Sequence, residues 1–218
     1  MRTPRVELLV FDVHGVILNA YWPRFLREIA RHTNEAAEQV IERWHRSVRA
    51  DAWTGKIDDA ELWRRLIPSA APTSKWREAL EAGYVPGPAA PHLRKWAARR
   101  PIWLLSNHRS DWLLPRLVRF DVNDCIDRVI VSDAIGAAKP DPAAFHEILN
   151  GAISPRHILF VDDQARNVDV ARDLGMTALR ADPEGDWIAR VDDALGSAPP
   201  RAISSSAGGR RRAARIHE

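Results

Sequence analysis

Five short apolar runs, separated by segments with helical spacing, constrain the fold of this chain more strongly than any other feature. The runs occupy residues 6–11, 102–105, 129–131, 158–161 and 177–179. Their nearly continuous apolar character is typical of strands that are buried on both faces, as in a parallel sheet. Strands that alternate with helices predict an α/β fold in which helices cover a parallel sheet core.

The alternation is interrupted after the first run. Residues 19–87 contain about four blocks with apolar side chains at helical spacing, and none of the blocks has the pattern of a strand. We therefore predict an inserted helical domain over residues 19–87 and an α/β core domain formed by residues 1–18 and 88–196. The Pro and Gly residues of segment 85–88 indicate the linker that returns the chain to the core.

Local signals predict where some helices begin. Asn34 has the side chain of an N-cap, ahead of an apolar pattern that starts at Ala37. Asp58 is predicted to cap the next helix, with Glu61 three residues later as in a capping box. Pro115 lies within a further helical pattern, where it indicates a kink or a late start of the helix.

Charge is concentrated at the C-terminus of the chain. The net charge of the 218 residues is +3, but the segment from Arg201 onward has five arginines and one glutamate, which leaves −1 for the preceding residues. Segment 197–218 has the composition of a linker followed by arginines, and we predict a disordered basic tail there. A nearly neutral folded body argues against a nucleic-acid partner.

Several broad classes of protein are excluded by simple counts. No apolar run approaches the ~20 residues that span a bilayer, and the N-terminus leads directly into a strand rather than into a secretory signal. We therefore expect a soluble cytoplasmic protein without a membrane partner. The single cysteine, Cys125, excludes an internal disulfide and a thiolate metal cluster.

Polar side chains suited to metal and phosphate binding follow the predicted strands. Because the carboxyl ends of parallel strands meet at one edge of a sheet, these side chains should share a cleft. They are Asp12, Ser106, Asn107, Lys139, Asp162 and Asp163. Carboxylates suit Mg²⁺, and an ammonium, a hydroxyl and backbone amides neutralise phosphoryl oxygens. The pattern therefore predicts a site for Mg²⁺ and a phosphate group.

The motifs around these residues resemble those of the haloacid dehalogenase superfamily, in the subgroup that has a helical cap and is similar to small-molecule phosphatases. Residues 161–176, which begin Val-Asp-Asp, and residues 132–142, which end Lys-Pro-Asp-Pro, are the most diagnostic. The resemblance covers residues 6–195. It implies a Rossmann-like parallel sheet core with an inserted α-helical cap. It also implies a Mg²⁺-dependent phosphatase that acts on a small phosphorylated metabolite such as a sugar phosphate or a nucleotide.

The resemblance also implies a role for each residue of the cleft. Asp12 would be the nucleophile that forms an aspartyl phosphate, and Lys139 would steady both the nucleophile and the phosphate. Ser106 and Asn107 would bind the phosphoryl group. The Mg²⁺ ligands would be Asp12, the backbone carbonyl of His14, Asp163, and Asp162 through a water molecule.

His14 is where the sequence departs from the phosphatases of the superfamily, which have a second aspartate there as general acid and base. Imidazole, with an ordinary pKa of about 6.5, can in principle make both proton transfers, so His14 is predicted to be catalytic. One alternative is a catalytically impaired binding protein, or a phosphotransferase, on the same fold. Another is a haloacid dehalogenase, because dehalogenating relatives also lack the second aspartate, although they work without a metal.

Three aromatic residues near the predicted cleft carry further expectations. Trp22 and Trp53 lie outside the apolar stripes of the predicted helices and are candidates to face the cleft and stack on a substrate. His108 follows the predicted phosphate-binding residues, and we expect it to be a solvated loop residue, with an approach to the site as the alternative. The oligomeric state is left open.

Overall fold

The computed structural model describes residues 5–20, 22–68, 74–151 and 153–196. The predicted disordered tail, 197–218, lies outside these residues. The described strands are β1 Leu8–Phe11, β2 Leu18–Ala20, β3 Tyr84–Pro86, β4 Ile102–Ser106, β5 Arg128–Val131, β6 Ile158–Asp162 and β7 Thr177–Arg180. The described α-helices are α1 Trp22–Thr33, α2 Ala37–Arg43, α3 Arg49–Trp53, α4 Asp59–Leu66, α5 Ser74–Ala82, α6 Leu93–Ala97, α7 Ser110–Arg119, α8 Ser132–Ile135, α9 His146–Leu149, α10 Ala165–Asp173 and α11 Asp186–Leu195.

Five of the strands form one parallel sheet in the order β5-β4-β1-β6-β7, which confirms the predicted α/β fold. β1 lies at the centre of this sheet and is buried on both faces. Leu9 and Phe11 pack into the apolar cluster on one face, and Leu8 and Val10 pack into the cluster on the other. The carboxyl end of β1, where Asp12 follows Phe11, is therefore flanked by the ends of β4 and β6.

The described residues between β2 and β3 contain α1 to α5 and no strand. The two ends of this segment are held together, because β2 and β3 pair antiparallel with Leu18 opposite Pro86 and Ala20 opposite Tyr84. The first two residues of the predicted return linker, 85 and 86, thus belong to a strand that the sequence did not indicate. Three-residue strands are too short to produce an alternating pattern, and Pro86 argued against a strand on sequence alone.

Helix ends agree with the local signals in one of two instances. Asp58 caps α4, since its Oδ1 accepts a hydrogen bond of 2.8 Å from the Glu61 amide. Asn34 does not cap α2, which has Ala36 at the N-cap position. Asn34 instead has φ of +56° just after the end of α1, a left-handed conformation that asparagine tolerates at helix C-termini. Pro115 lies inside α7 without marking its start, which is at Ser110.

A π-helical turn, Trp44–Val48, joins α2 to α3. Such turns accommodate one extra residue within an otherwise α-helical path, and they are frequent at functional sites. Here Trp44 and His45 of the turn line a cavity that is described below. No described helix is long and apolar enough to span a membrane.

Candidate active site

Three carboxylates meet at the carboxyl edge of the sheet. Asp12 follows β1, Asp162 ends β6, and Asp163 comes next in the chain. Carboxylate oxygens of the three residues lie within 4.8 Å of one another. Lys139 is the counter-charge, since its Nζ lies 2.9 Å from Asp12 Oδ1 and 2.6 Å from Asp162 Oδ2.

Gly15 allows the carboxylates to approach so closely. Its φ of +81° belongs to the left-handed region, and a Cβ atom at this position would lie 2.9 Å from the side chain of Asp163. Any larger residue would therefore displace Asp163 from the cluster.

Burial dominates the electrostatics of this cluster. Asp12 is 7% exposed, and burial raises the pKa of its carboxyl to about 7, although Lys139 opposes the shift. Burial also raises the pKa of Asp163. Burial alone would lower the pKa of Lys139, but the charges of Asp12 and Asp162 outweigh it and raise the pKa. Two or three carboxylates around one ammonium leave a deficit of positive charge, which a divalent cation would supply.

Asp162 is held rigidly by its neighbours. Its Oδ1 accepts hydrogen bonds of 2.9 Å from the Gln164 amide and from Asn167 Nδ2, while Lys139 occupies Oδ2. Asn167 lies one turn into α10 and was not singled out from the sequence. With its oxygens already engaged, Asp162 is suited to orient Lys139 and an intervening water rather than to be exposed to a ligand.

Ser106 and Asn107 follow β4 beside this cluster, and they differ in what their side chains do. Asn107 holds the backbone of Lys139 with two hydrogen bonds, since Nδ2 donates to the Lys139 carbonyl at 2.7 Å and Oδ1 accepts from its amide at 2.8 Å. Ser106 is fully buried, and its Oγ has no hydrogen-bond partner among the described residues. A buried hydroxyl that is free to donate fits an incoming phosphoryl oxygen.

A cavity of about 350 Å³ opens over the cluster. Asp12, His14, Asn107, Lys139 and Asp163 line its sheet side. Trp22 and Trp53 line the opposite side, as predicted, and Trp44 joins them. Trp22 stacks on Trp44 with ring centroids 4.5 Å apart. The cavity thus pairs a charged floor with an aromatic wall supplied by the helical segment between β2 and β3.

Comparison with known proteins places this arrangement in a family. The model of the haloacid dehalogenase-like hydrolases matches residues 6–175, which is most of the chain and includes Asp12, Lys139 and Asp163. The chain belongs to this family of hydrolases.

Individual relatives agree with that membership. A phosphatase of Mycobacterium tuberculosis is 29% identical over 211 residues, which cover 88% of this chain and 96% of the relative. A D-ribitol-5-phosphate phosphatase of Bacteroides thetaiotaomicron is 30% identical over 67 residues, which cover 30% of this chain and 32% of the relative. A HAD family enzyme of the same organism was crystallised with magnesium and inorganic phosphate. Its structure matches this one with a TM-score of 0.68 at 22% identity, and the match covers 80% of this chain and 93% of that enzyme's chain. At that identity the likeness concerns the fold.

His14 of this hydrolase lies in a buried polar network that no single motif indicates. Its Nε2 is 2.9 Å from the Tyr84 hydroxyl, which accepts a hydrogen bond of 2.8 Å from Arg116 Nη1. Arg116 is 1% exposed and forms an ion pair with Glu81. Burial, and then the charges of Arg116 and Lys139, lower the pKa of His14 to about 3. The imidazole of His14 is therefore neutral near neutral pH.

His108 was expected to be a solvated loop residue, and this expectation was wrong. It is fully buried, stacked between His14 at 4.9 Å and Trp53 at 5.0 Å between ring centroids. Arg116 Nη1 donates to its Nε2 at 2.8 Å, while its Nδ1 lies 2.7 Å from the Arg109 amide nitrogen and 2.9 Å from the Arg109 carbonyl oxygen. The ring excludes solvent from one face of His14.

Tyr84 and Arg116 were not singled out as site residues, whereas His108 was considered as a residue that could approach the site. Tyr84 lies on β3 and Arg116 on α7, and neither stands at the end of a strand of the parallel sheet. The substitution at position 14 offered the only sequence signal, because a residue that differs from its family's usual one should have neighbours adapted to it.

Proposed function

We propose that this hydrolase is a Mg²⁺-dependent phosphomonoesterase that acts through an aspartyl phosphate on Asp12. The observation that carries the proposal is the cluster of three carboxylates and Lys139 beneath a 350 Å³ cavity. A cavity of this size suits a small phosphorylated metabolite such as a sugar phosphate or a nucleotide. The relatives include a phosphatase and a D-ribitol-5-phosphate phosphatase, which supports the same chemistry.

The donor set fits Mg²⁺. This ion prefers one or two carboxylates and completes its shell with water and substrate oxygens. Asp12 and Asp163 would supply the carboxylates and the backbone carbonyl of His14 a further oxygen, while Asp162 would act through water. Bound there, Mg²⁺ would neutralise the carboxylates and withdraw charge from the phosphoryl group.

The chain's own residues divide the reaction between them. A carboxylate oxygen of Asp12 attacks phosphorus, the bond to the ester oxygen breaks, and the electron pair leaves with that oxygen. Lys139 orients Asp12 and offsets charge on the phosphoryl oxygens, with the Ser106 hydroxyl and the Asn107 backbone amide as donors. Water then attacks the aspartyl phosphate and releases inorganic phosphate with regeneration of Asp12.

Proton transfer is the weak step in this site. We propose that His14 occupies the place of the general acid and base, as a neutral imidazole that accepts a proton from water. Arg116 and Lys139 oppose its protonated form, so it gives little help to an ester whose leaving oxygen needs a proton. Slow turnover of the aspartyl phosphate, or phosphotransfer to another acceptor, is the second candidate function and rests on the same network around His14.

We expect His14→Asp to raise phosphate release from alkyl phosphates by roughly 10- to 100-fold, because a carboxyl group can donate a proton and then accept one. Initial rates of phosphate release measure the effect, with His45→Asp as the matched control, since His45 lines the same cavity outside the cluster. A lower rate in the His14 variant would mean that His14 itself makes the proton transfers.

Removal of metal tests the proposed function directly. The chelated protein should release no phosphate from a panel of sugar phosphates and nucleotides, and added Mg²⁺ should restore the activity. Hydrolysis of 2-haloacids that survives the chelator would replace the proposal with dehalogenation, which needs no metal. Absence of phosphate release from the whole panel with Mg²⁺ present would instead favour the binding or phosphotransfer function.

We also propose the division of the chain that the sequence predicted, with residues 19–87 as a cap domain over a core of residues 1–18 and 88–196. The aromatic wall of the cavity supports it, since this wall comes from the inserted segment while the charged floor comes from the sheet. A cap of this kind chooses the substrate and excludes water.

A further inference from the structure

The cavity contains positive charge that the proposed chemistry leaves unused. Besides the aromatic wall, Arg49 at the start of α3 and Arg166 in α10 both line it. Neither arginine forms an ion pair or a hydrogen bond with any of the residues that the structure describes. Most other arginines near the helical segment have carboxylate partners, such as Arg43 with Glu35 and Arg65 with Glu61.

Arg49 lines the cavity directly after the π-helical turn, Trp44–Val48. Ile41, Trp44 and His45 face the cavity from α2 and the start of the turn. In a regular α-helix Val48 and Arg49, seven and eight residues after Ile41, would both continue that face. With the π-turn in this stretch, Val48 lies in the core, where it is 1% exposed, and Arg49 lines the cavity.

The surroundings of Arg49 are unfavourable for its positive charge. It is half-buried, and burial followed by the charge of Arg166 lowers the pKa of its guanidinium. Two like charges that face one cavity repel each other until an anion lies between them. A guanidinium is also the group best suited to bind a carboxylate or a phosphate in bidentate geometry.

We propose that Arg49, together with Arg166, forms a subsite for a second anionic group of the substrate. The inference rests on the proposed function, and it narrows the substrate class to phosphate monoesters that bear a carboxylate or a second phosphate. The body between the two anionic groups is flat or apolar, because it lies against the wall of Trp22, Trp44 and Trp53. Arg49 then determines specificity, whereas Asp12 and Lys139 perform the reaction.

Three aryl esters test this subsite. Phenyl phosphate has one anionic group, para-carboxyphenyl phosphate adds a carboxylate, and para-phenylene bisphosphate adds a phosphate. In the wild-type protein with Mg²⁺, kcat/KM should be roughly tenfold or more higher for the better of the two doubly anionic esters than for phenyl phosphate. The better of the two also identifies which anion the subsite prefers.

Two methionine variants provide the matched comparison. Arg49→Met should abolish the preference for a second anion and change the hydrolysis of phenyl phosphate by a much smaller factor. Arg46→Met should change neither, because Arg46 lies in the same turn but is exposed and paired with Glu42. Two results would refute the subsite while the proposed function stands, provided that phenyl phosphate is hydrolysed. In the first, the wild-type protein shows no preference for the doubly anionic esters. In the second, the preference persists in the Arg49 variant.

A binding measurement tests the subsite even if the protein hydrolyses none of the three esters. The wild-type protein is titrated with para-hydroxybenzoate and with phenol, and the fluorescence of the cavity tryptophans reports the binding of each compound. Neither measurement requires turnover. If no ester is hydrolysed, tighter binding of para-hydroxybenzoate that Arg49→Met reduces to the level of phenol still supports the subsite. Equal binding of the two compounds would refute it.

Discussion

Asp12→Asn is expected to abolish phosphate release, with a loss of roughly 10⁴-fold or more, because the amide cannot form the covalent intermediate. The variant should also give no phosphorylated protein when the reaction is quenched with acid and examined by mass spectrometry. Phosphate release that persists near the wild-type rate would mean that Asp12 is not the nucleophile.

The fold of the Asp12 variant should remain intact, which separates chemistry from unfolding. The raised pKa of Asp12 means that the folded protein prefers the protonated carboxyl. In metal-free buffer, Asp12 therefore reduces wild-type stability as the pH rises from about 4 to about 7. Asparagine removes that dependence, so the variant should unfold at an equal or higher temperature than the wild type at pH 8. Asp141→Asn is the matched control, because Asp141 is exposed and caps a turn near Lys139.

Lys139→Met is expected to lower both stability and activity. Lys139 and Asp162 are almost completely buried, and loss of the ammonium leaves the carboxylate cluster uncompensated. Breaking a buried ion pair from one side destabilises by about 3–5 kcal/mol. Phosphate release should fall by roughly 10²-fold or more, since an oriented cation at the transferring phosphoryl group is lost.

The response to Mg²⁺ separates loss of charge compensation in the Lys139 variant from a general loss of stability. Because a divalent cation would replace part of the missing charge, Mg²⁺ should raise the unfolding temperature of the Lys139 variant more than that of the wild type. Lys95→Met is the control, since Lys95 forms a similar 2.8 Å ion pair with Asp192 at the surface. An exposed pair of that kind contributes about 1 kcal/mol or less. Equal stabilities of the two lysine variants would contradict the proposed role of Lys139.

The sheet was predictable because its signals are local. Each apolar run is long enough to mark a strand, and a buried parallel sheet has few alternatives for such runs. The charged cluster was predictable for a related reason, since Asp12, Asp162 and Asp163 follow strands that are neighbours in the sheet. Lys139 does not follow a strand directly, and its position depends on Asn107, which holds its backbone.

The surroundings of His14 were not predictable, because they depend on the packing of separate elements. Tyr84 comes from a three-residue strand, and Arg116 comes from a helix whose surface pattern would equally suit an exposed arginine. His108 is buried because Trp53, some fifty residues away in the chain, covers it. None of these contacts follows from spacing in the sequence.

The pairing of β2 with β3 brings the two ends of the helical segment side by side, with Ala20 opposite Tyr84. A segment whose ends are neighbours can be lengthened, shortened or exchanged without moving the sheet that carries Asp12 and Lys139. Evolution can therefore change the aromatic wall and Arg49 while the reaction centre is inherited unaltered. For protein engineering, the β2–β3 pair marks the two points at which a different helical segment could be grafted onto this sheet.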